Sequence, residues 1–152
     1  VNSVGSLKKS VETGKLLLPD DFISLWNIPT FYDKLIRHIR PEISTELRGL
    51  LAKKCRALKI DFYGQGVYFQ TGGPRLETPA EIKMLADFGD VVGMTLGSEI
   101  TLANEKGIKI AAVCAIDNYG NGFEGEIDYQ AIRIGTQENR GKIELLVKSV
   151  LQ

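Results

Sequence analysis

From Gly66 to Met94 the chain reads GVYFQTGGPRLETPAEIKMLADFGDVVGM. An apolar strand runs into a Gly-Gly-Pro turn, a capped helix follows, and a second apolar strand closes the unit. That order of elements places the Glu77 carboxylate and a run of backbone amides at the carboxyl edge of a sheet, where α/β proteins bind small polar ligands. Thr78 suits the N-cap of the helix, Pro79 occupies the first helical position where a missing N–H costs nothing, and Glu81 completes a capping box. Ile82, Leu85 and Phe88 recur at helical spacing and predict one inward face. Glu77 lies just outside this helix start, where the dipole favours its charge. Two readings fit it: a ligand-facing carboxylate, or a solvated residue of a structural turn.

The rest of the chain alternates strand and helix. Lys15 to Leu18 predicts a short strand closed by Pro19, and residues 26–41 an irregular segment holding Phe31, Tyr32 and His38 between Pro29 and Pro41. Leu47, Leu50, Leu51 and Leu58 mark one stripe of a helix from Ser44 to Leu58. Strands are expected at Val67 to Gln70, Asp90 to Met94 and Ile108 to Ile116. The last is a near-continuous apolar run, as in a central strand buried on both faces. Helices are expected from Glu99 to Lys106, ending at Gly107, and from about Asp128 to Val150, with Ile132, Ile143, Leu146, Val147 and Val150 facing inward. The fold class is therefore α/β: one domain over residues 1–152, with a mixed, largely buried sheet and helices on both faces. The opening VNSVGSLKK reads as a loop leaving a buried strand, so the domain is expected to lack its own N-terminal strands.

Charge narrows the partners. Nineteen basic and nineteen acidic residues cancel, which argues against nucleic acid or an anionic membrane as a partner and requires any bound anion to be held locally. Cys55 and Cys114 sit far apart, on a helix face and in a buried strand, and are expected as free thiols. No metal-ligand spacing exists, His38 is the sole histidine, and no signal peptide or long apolar span is visible. A cytoplasmic protein is the expectation.

Several blocks in order carry a resemblance over nearly the whole chain: Asn2-Ser3-Val4-Gly5-Ser6-Leu7, GKLLLPDDF (14–22), GGPRLETPAE, GDVVGMT, SEITLANEKGI, and the run ending Ala115-Ile116-Asp117-Asn118-Tyr119. They resemble the trimeric purine nucleoside phosphorylase and methylthioadenosine phosphorylase family, in its central and C-terminal portion. The family's N-terminal Gly-rich phosphate loop, and the Arg- and His-bearing segment after it, have no counterpart here.

The resemblance implies phosphorolysis of a purine nucleoside, with inorganic phosphate as co-substrate and no cofactor or metal. Such a reaction needs a phosphate cradle and a hydrogen-bond donor to the leaving base. By resemblance Ser3 and Thr95 contact phosphate, Met94 and Ile127 lie at the ribose, and Leu76, Glu77 and Asn118 hold the purine, with Asn118 the catalytic donor. Taken alone, Met94 reads more readily as core than as ligand, Ser3 as part of a tight loop and Asn118 as a turn residue. A carboxylate facing N1 suits a 6-oxopurine, which presents N1–H there, and repels a 6-aminopurine. Asn118, with Gly120 two residues on, points the same way. An apolar Ile127 favours a 5′-methylthio group, making 5′-methylthioinosine a candidate beside inosine and guanosine.

Asp117 receives no catalytic role, and Glu99 is expected as a structural cap. The cluster of Phe31, Tyr32 and His38 falls where the family has a subunit boundary, a surface loop being the alternative. A homotrimer or hexamer is expected. The alternatives are a methylthioadenosine phosphorylase and a catalytically incomplete ligand-binding or assembly fragment.

Overall fold

Strand β1, Asn2–Ser6, runs through the interior of the sheet. It pairs parallel with β7 (Cys114–Tyr119) on one side and antiparallel with β6 (Val91–Gly93) on the other. The expectation that VNSVGSLKK is a loop is therefore corrected. Its small residues have weak strand propensity, but they let neighbouring chains approach: a Cβ at Gly5 would lie 3.3 Å from Val92 Cγ1 and 3.4 Å from Asn118 Nδ2.

The computed structural model describes the whole chain except residues 33, 124, 126, 128 and 152. The remaining strands are β2 (Leu16–Leu17), β3 (Asp21–Ser24), β4 (Phe62–Tyr63) and β5 (Val67–Gln70). They complete one mixed sheet of seven strands in the order β3-β5-β6-β1-β7-β2-β4, so β3 and β4 are its edges. Four helices accompany it: α1 (Thr45–Ala57), α2 (Pro79–Leu85), α3 (Leu96–Glu105) and α4 (Tyr129–Val150).

Period-two alternation along the strands divides the core between the two faces. Leu17, Tyr68, Val91, Cys114 and Ile116 meet Leu96 and Ile100 of α3. On the other face Leu16, Leu18, Val113 and Ala115 pack with Cys55 of α1 and Leu146 of α4, and Phe69 and Val92 pack with Ile82 and Leu85 of α2. Helices thus cover both faces of the sheet, as the sequence led us to expect.

Several boundaries move. The expected strand from Ile108 to Ile116 begins only at Cys114 and continues to Tyr119. Ile108 is 59% exposed, while residues 110–113 reach the core without a strand ladder, the Ile110 carbonyl instead accepting the Ser44 N–H. Helix α3 starts three residues before Glu99, because Thr95-Leu-Gly-Ser reads as a loop until tertiary partners cap it. Phe88 is 62% exposed, since α2 has already ended at Leu85. Leu50 and Val147 also turn outward, and the centre of the α1 face is Cys55. Asp128, the expected start of the last helix, lies outside the described residues. Ser44 caps α1, its hydroxyl accepting the Leu47 N–H, and Thr78 with Glu81 forms the expected capping box on α2.

Candidate active site at the carboxyl edge of the sheet

Seven residues singled out in the sequence, Ser3, Leu76, Glu77, Met94, Thr95, Asn118 and Ile127, line one cavity of about 370 Å³. They come from β1, the turn after β5, the segment joining β6 to α3, the end of β7 and the loop before α4. Asn2, Gly5, Val92, Gly93, Gly120 and Ile132 complete much of its wall.

The turn that carries Glu77 is shaped by contact with Met94. Gly73 has φ +54° and a Cβ there would lie 2.5 Å from Met94 Sδ, so only glycine fits both the conformation and the space. Glu77 is buried. Its Oε1 accepts the Thr71 hydroxyl at 2.5 Å, and its carbonyl accepts Asn121 Nδ2 at 3.0 Å. Among the described residues Oε2 has no hydrogen-bond partner, which leaves an acceptor for a ligand. Arg75, from the same turn, faces elsewhere and chelates Glu81 through two bonds of 2.8 Å. That guanidinium holds the Glu81 carboxyl down to about 2. A second cavity, of about 430 Å³ and bounded by Trp26, Asn27 and Arg75, shares the Glu77 wall.

Asn118 sits opposite Gly5 in the β1–β7 ladder. One hydrogen of its Nδ2 is held by the Tyr119 carbonyl at 2.7 Å. The amide therefore retains one N–H for a ligand rather than the two the sequence allowed. Its neighbour Asp117 serves the other face of β7: Oδ1 accepts Asn139 Nδ2 at 2.8 Å and Oδ2 accepts the Thr136 hydroxyl at 3.0 Å, both from α4. Asp117 is thus a helix-docking residue. Beside it a Cβ on Gly135 would overlap the Asp117 carbonyl, so strand and helix touch backbone to side-chain-free backbone.

Thr95 is the N-cap residue of α3, yet its side chain does not cap. The buried Tyr68 hydroxyl takes over, accepting the N–H groups of Thr95 at 3.2 Å and Leu96 at 3.3 Å. Gln70 Oε1 accepts that of Ser98 at 3.0 Å. Burial pushes the Tyr68 phenol up to about 12, so it stays neutral. The Thr95 side chain is released toward the cavity, where its hydroxyl donates to Asn2 Oδ1 at 2.5 Å. Among the described residues Glu99 makes no capping contact; Tyr68 and Gln70 occupy that role. Asn2, Tyr68 and Gln70 were missed in the sequence because they act through neighbours distant in the chain.

No Lys, Arg or His lines the main cavity among the described residues. The donors that the lining offers are hydroxyl, amide and backbone groups. No group of three or more His, Cys, Asp or Glu among the described residues could hold a metal ion. No helix there is long and apolar enough to cross a membrane.

The family model described as "Phosphorylase superfamily" matches residues 1–152. The chain belongs to the phosphorylase superfamily. Among its superfamily relatives, a "Probable 6-oxopurine nucleoside phosphorylase" of Archaeoglobus fulgidus is 38% identical over all of this chain and 63% of its own length. A "Probable S-methyl-5'-thioinosine phosphorylase" of Methanocaldococcus jannaschii is 39% identical over 84% of this chain and 52% of its own. The phosphorylase fold is matched by methylthioadenosine phosphorylase from Schistosoma mansoni in complex with adenine, with TM-score 0.86 and 18% identity over 98% of this chain and 62% of that one. The chain spans roughly half to three fifths of the length of these relatives.

Proposed function

We propose that the protein carrying this chain catalyses phosphorolysis of purine nucleosides, preferring 6-oxopurines, with inorganic phosphate as co-substrate and no cofactor. The observation that carries this reading is the convergence of Glu77 and Asn118, from two separate elements, on one cavity that also holds Ser3 and Thr95. A phosphate oxygen attacks C1′ of the sugar, the C1′–N9 bond breaks, and the base leaves with the electron pair. The remaining N–H of Asn118 donates to the charge that develops at N7 and O6. The Oε2 of Glu77 accepts N1–H, which only a 6-oxopurine presents. Ser3 and Thr95 serve the phosphate, and Met94 and Leu76 give apolar contact to ribose and base.

The sugar end favours 5′-methylthioinosine beside inosine and guanosine. Ile127 and Ile132 line the cavity there, and neither can hydrogen-bond a 5′-hydroxyl. A methylthioadenosine phosphorylase reading is weaker, because the adenine N1 lone pair would face the Glu77 carboxylate.

A homotrimer or hexamer accords with the exposed apolar residues Leu25, Trp26, Ile28, Phe31, Leu35 and Ile36, the last 89% exposed. In this reading the cation that phosphate needs comes from outside the described lining. The cytoplasm is its place of action.

The test is release of free base from inosine, guanosine, adenosine, 5′-methylthioinosine and 5′-methylthioadenosine, each with and without phosphate. Phosphate-dependent release of hypoxanthine or guanine is expected. Release confined to adenine would overturn the purine preference, and no phosphate-dependent release from any of them the reaction class.

A further inference from the structure

The wall of the cavity contains a buried amide with unused donors. Asn2 is 6% exposed. Its Oδ1 accepts the Thr95 hydroxyl, and its Nδ2 has no hydrogen-bond partner among the described residues. A buried NH₂ with neither hydrogen bonded loses its hydration without return. The same contact disarms Thr95. A hydroxyl has one proton, and here it points at Asn2, so Thr95 presents only lone pairs to the cavity. Lone pairs facing an oxyanion repel it.

A half-turn of the Asn2 amide about its Cβ–Cγ bond reverses both conditions. Nδ2 then donates one of its hydrogens to Thr95 Oγ1, Oδ1 gives up the Thr95 proton in exchange, and that proton is free to donate into the cavity. Without an anion the freed proton meets only water, since Thr95 is exposed at the cavity. With a tetrahedral oxyanion present it gains a charge-assisted hydrogen bond. The anion therefore selects the turned amide.

We propose that Asn2 is a positioning residue for phosphate: its amide turns to convert Thr95 from a hydrogen-bond acceptor into a donor when the oxyanion binds. The inference rests on the phosphorolysis reading above. It separates Asn2 from the groups that touch phosphate, since its Nδ2 is covered and acts through Thr95. The geometry that permits it is the capping of α3 by Tyr68, which leaves the Thr95 hydroxyl uncommitted to its own helix.

The experiment is steady-state kinetics with phosphate and nucleoside varied separately, on the wild-type protein and on Asn2→Leu, Asn2→Asp, Thr95→Val and Asn2→Leu/Thr95→Val. Asn2→Leu should raise the phosphate KM by about ten- to a hundredfold, the worth of one charge-assisted hydrogen bond, and move the nucleoside KM far less. Asn2→Asp keeps the shape but is a permanent acceptor, so it should raise the phosphate KM further. In the Thr95→Val background Asn2→Leu should add nothing, because the group it orients is gone.

An unchanged phosphate KM in Asn2→Asp overturns the inference, as does an additive effect of Asn2→Leu in the double variant. Parallel changes in both KM values with a lowered melting temperature would mean that Asn2 is only structural. If Asn2→Leu does not fold, the Asn2→Asp comparison decides alone. A wild-type protein that shows no phosphate-dependent base release removes the phosphorolysis reading itself, and this inference with it.

Discussion

The Tyr68 hydroxyl, deep in the core, accepts the backbone N–H of Leu96 at 3.3 Å and thereby caps a helix that belongs to another part of the chain. The same oxygen accepts the N–H of Thr95. This tie fixes the start of α3 against β5 and sets where the Thr95 side chain enters the cavity.

Tyr68→Phe should therefore cost about 1–3 kcal/mol of stability, because the buried Leu96 N–H and the part-buried Thr95 N–H lose their acceptor. Urea unfolding of the variant measures the loss. A midpoint equal to that of the wild type would show that the phenol oxygen carries no structural role.

Asn118→Asp should shift the ratio of catalytic efficiencies away from inosine and toward adenosine, and likewise between their 5′-methylthio forms. A change of about ten- to a thousandfold follows from exchanging a matched hydrogen bond for a mismatched one. Glu77→Gln should weaken 6-oxopurine turnover, since one carboxylate oxygen that accepts N1–H becomes an NH₂. An unaltered ratio in Asn118→Asp would make that residue part of the loop and nothing more.

Gly135→Ala opposes two effects of different size. Alanine improves helix propensity by about 1 kcal/mol. The added Cβ, however, overlaps the Asp117 backbone, which cannot swing aside as a side-chain tip could. Overpacking of this kind costs about 1–3 kcal/mol, so the variant should melt at a lower temperature. A gain in stability would show that α4 shifts freely on the sheet.

Stability should fall as the solution becomes alkaline. Burial pushes the Cys114 thiol from 9.0 up to about 12 and the Tyr68 phenol from 10.0 up to about 12. Both folded pKa values are raised, so the unfolded chain releases these protons first. Their contribution is whole below about pH 9 and is lost as pH rises toward about 12. Cys114→Ala should lower stability at neutral pH by opening a small cavity and should flatten the decline above pH 9. A decline of unchanged steepness in that variant would acquit the thiol.

The sequence carried the α2 unit almost completely, because capping residues and a helical stripe are local signals that need no partner. It also supplied the residues that line the cavity, through motifs whose order along the chain is distinctive. β1 was not legible, since Ser3, Gly5 and Ser6 lack strand propensity and the segment is a strand only by virtue of β6 and β7 on either side. Edge strands β3 and β4 escaped for the related reason that four and two residues hold too little pattern. The early start of α3 and the restraint on the Asn118 amide depend on Tyr68 and on a neighbouring carbonyl, which no periodicity encodes.

Asp117 and Asn118 are consecutive residues pointing to opposite sides of β7, one gripping α4 and the other facing the cavity. Under the proposed function a mutation at position 118 therefore alters which purine is preferred while leaving the joint between strand and helix intact. The strand thus separates its helix contact from its cavity face by one peptide unit. In that reading a substitution at 118 changes the substrate alone, whereas one at 117 also removes the acceptor of Thr136 and Asn139.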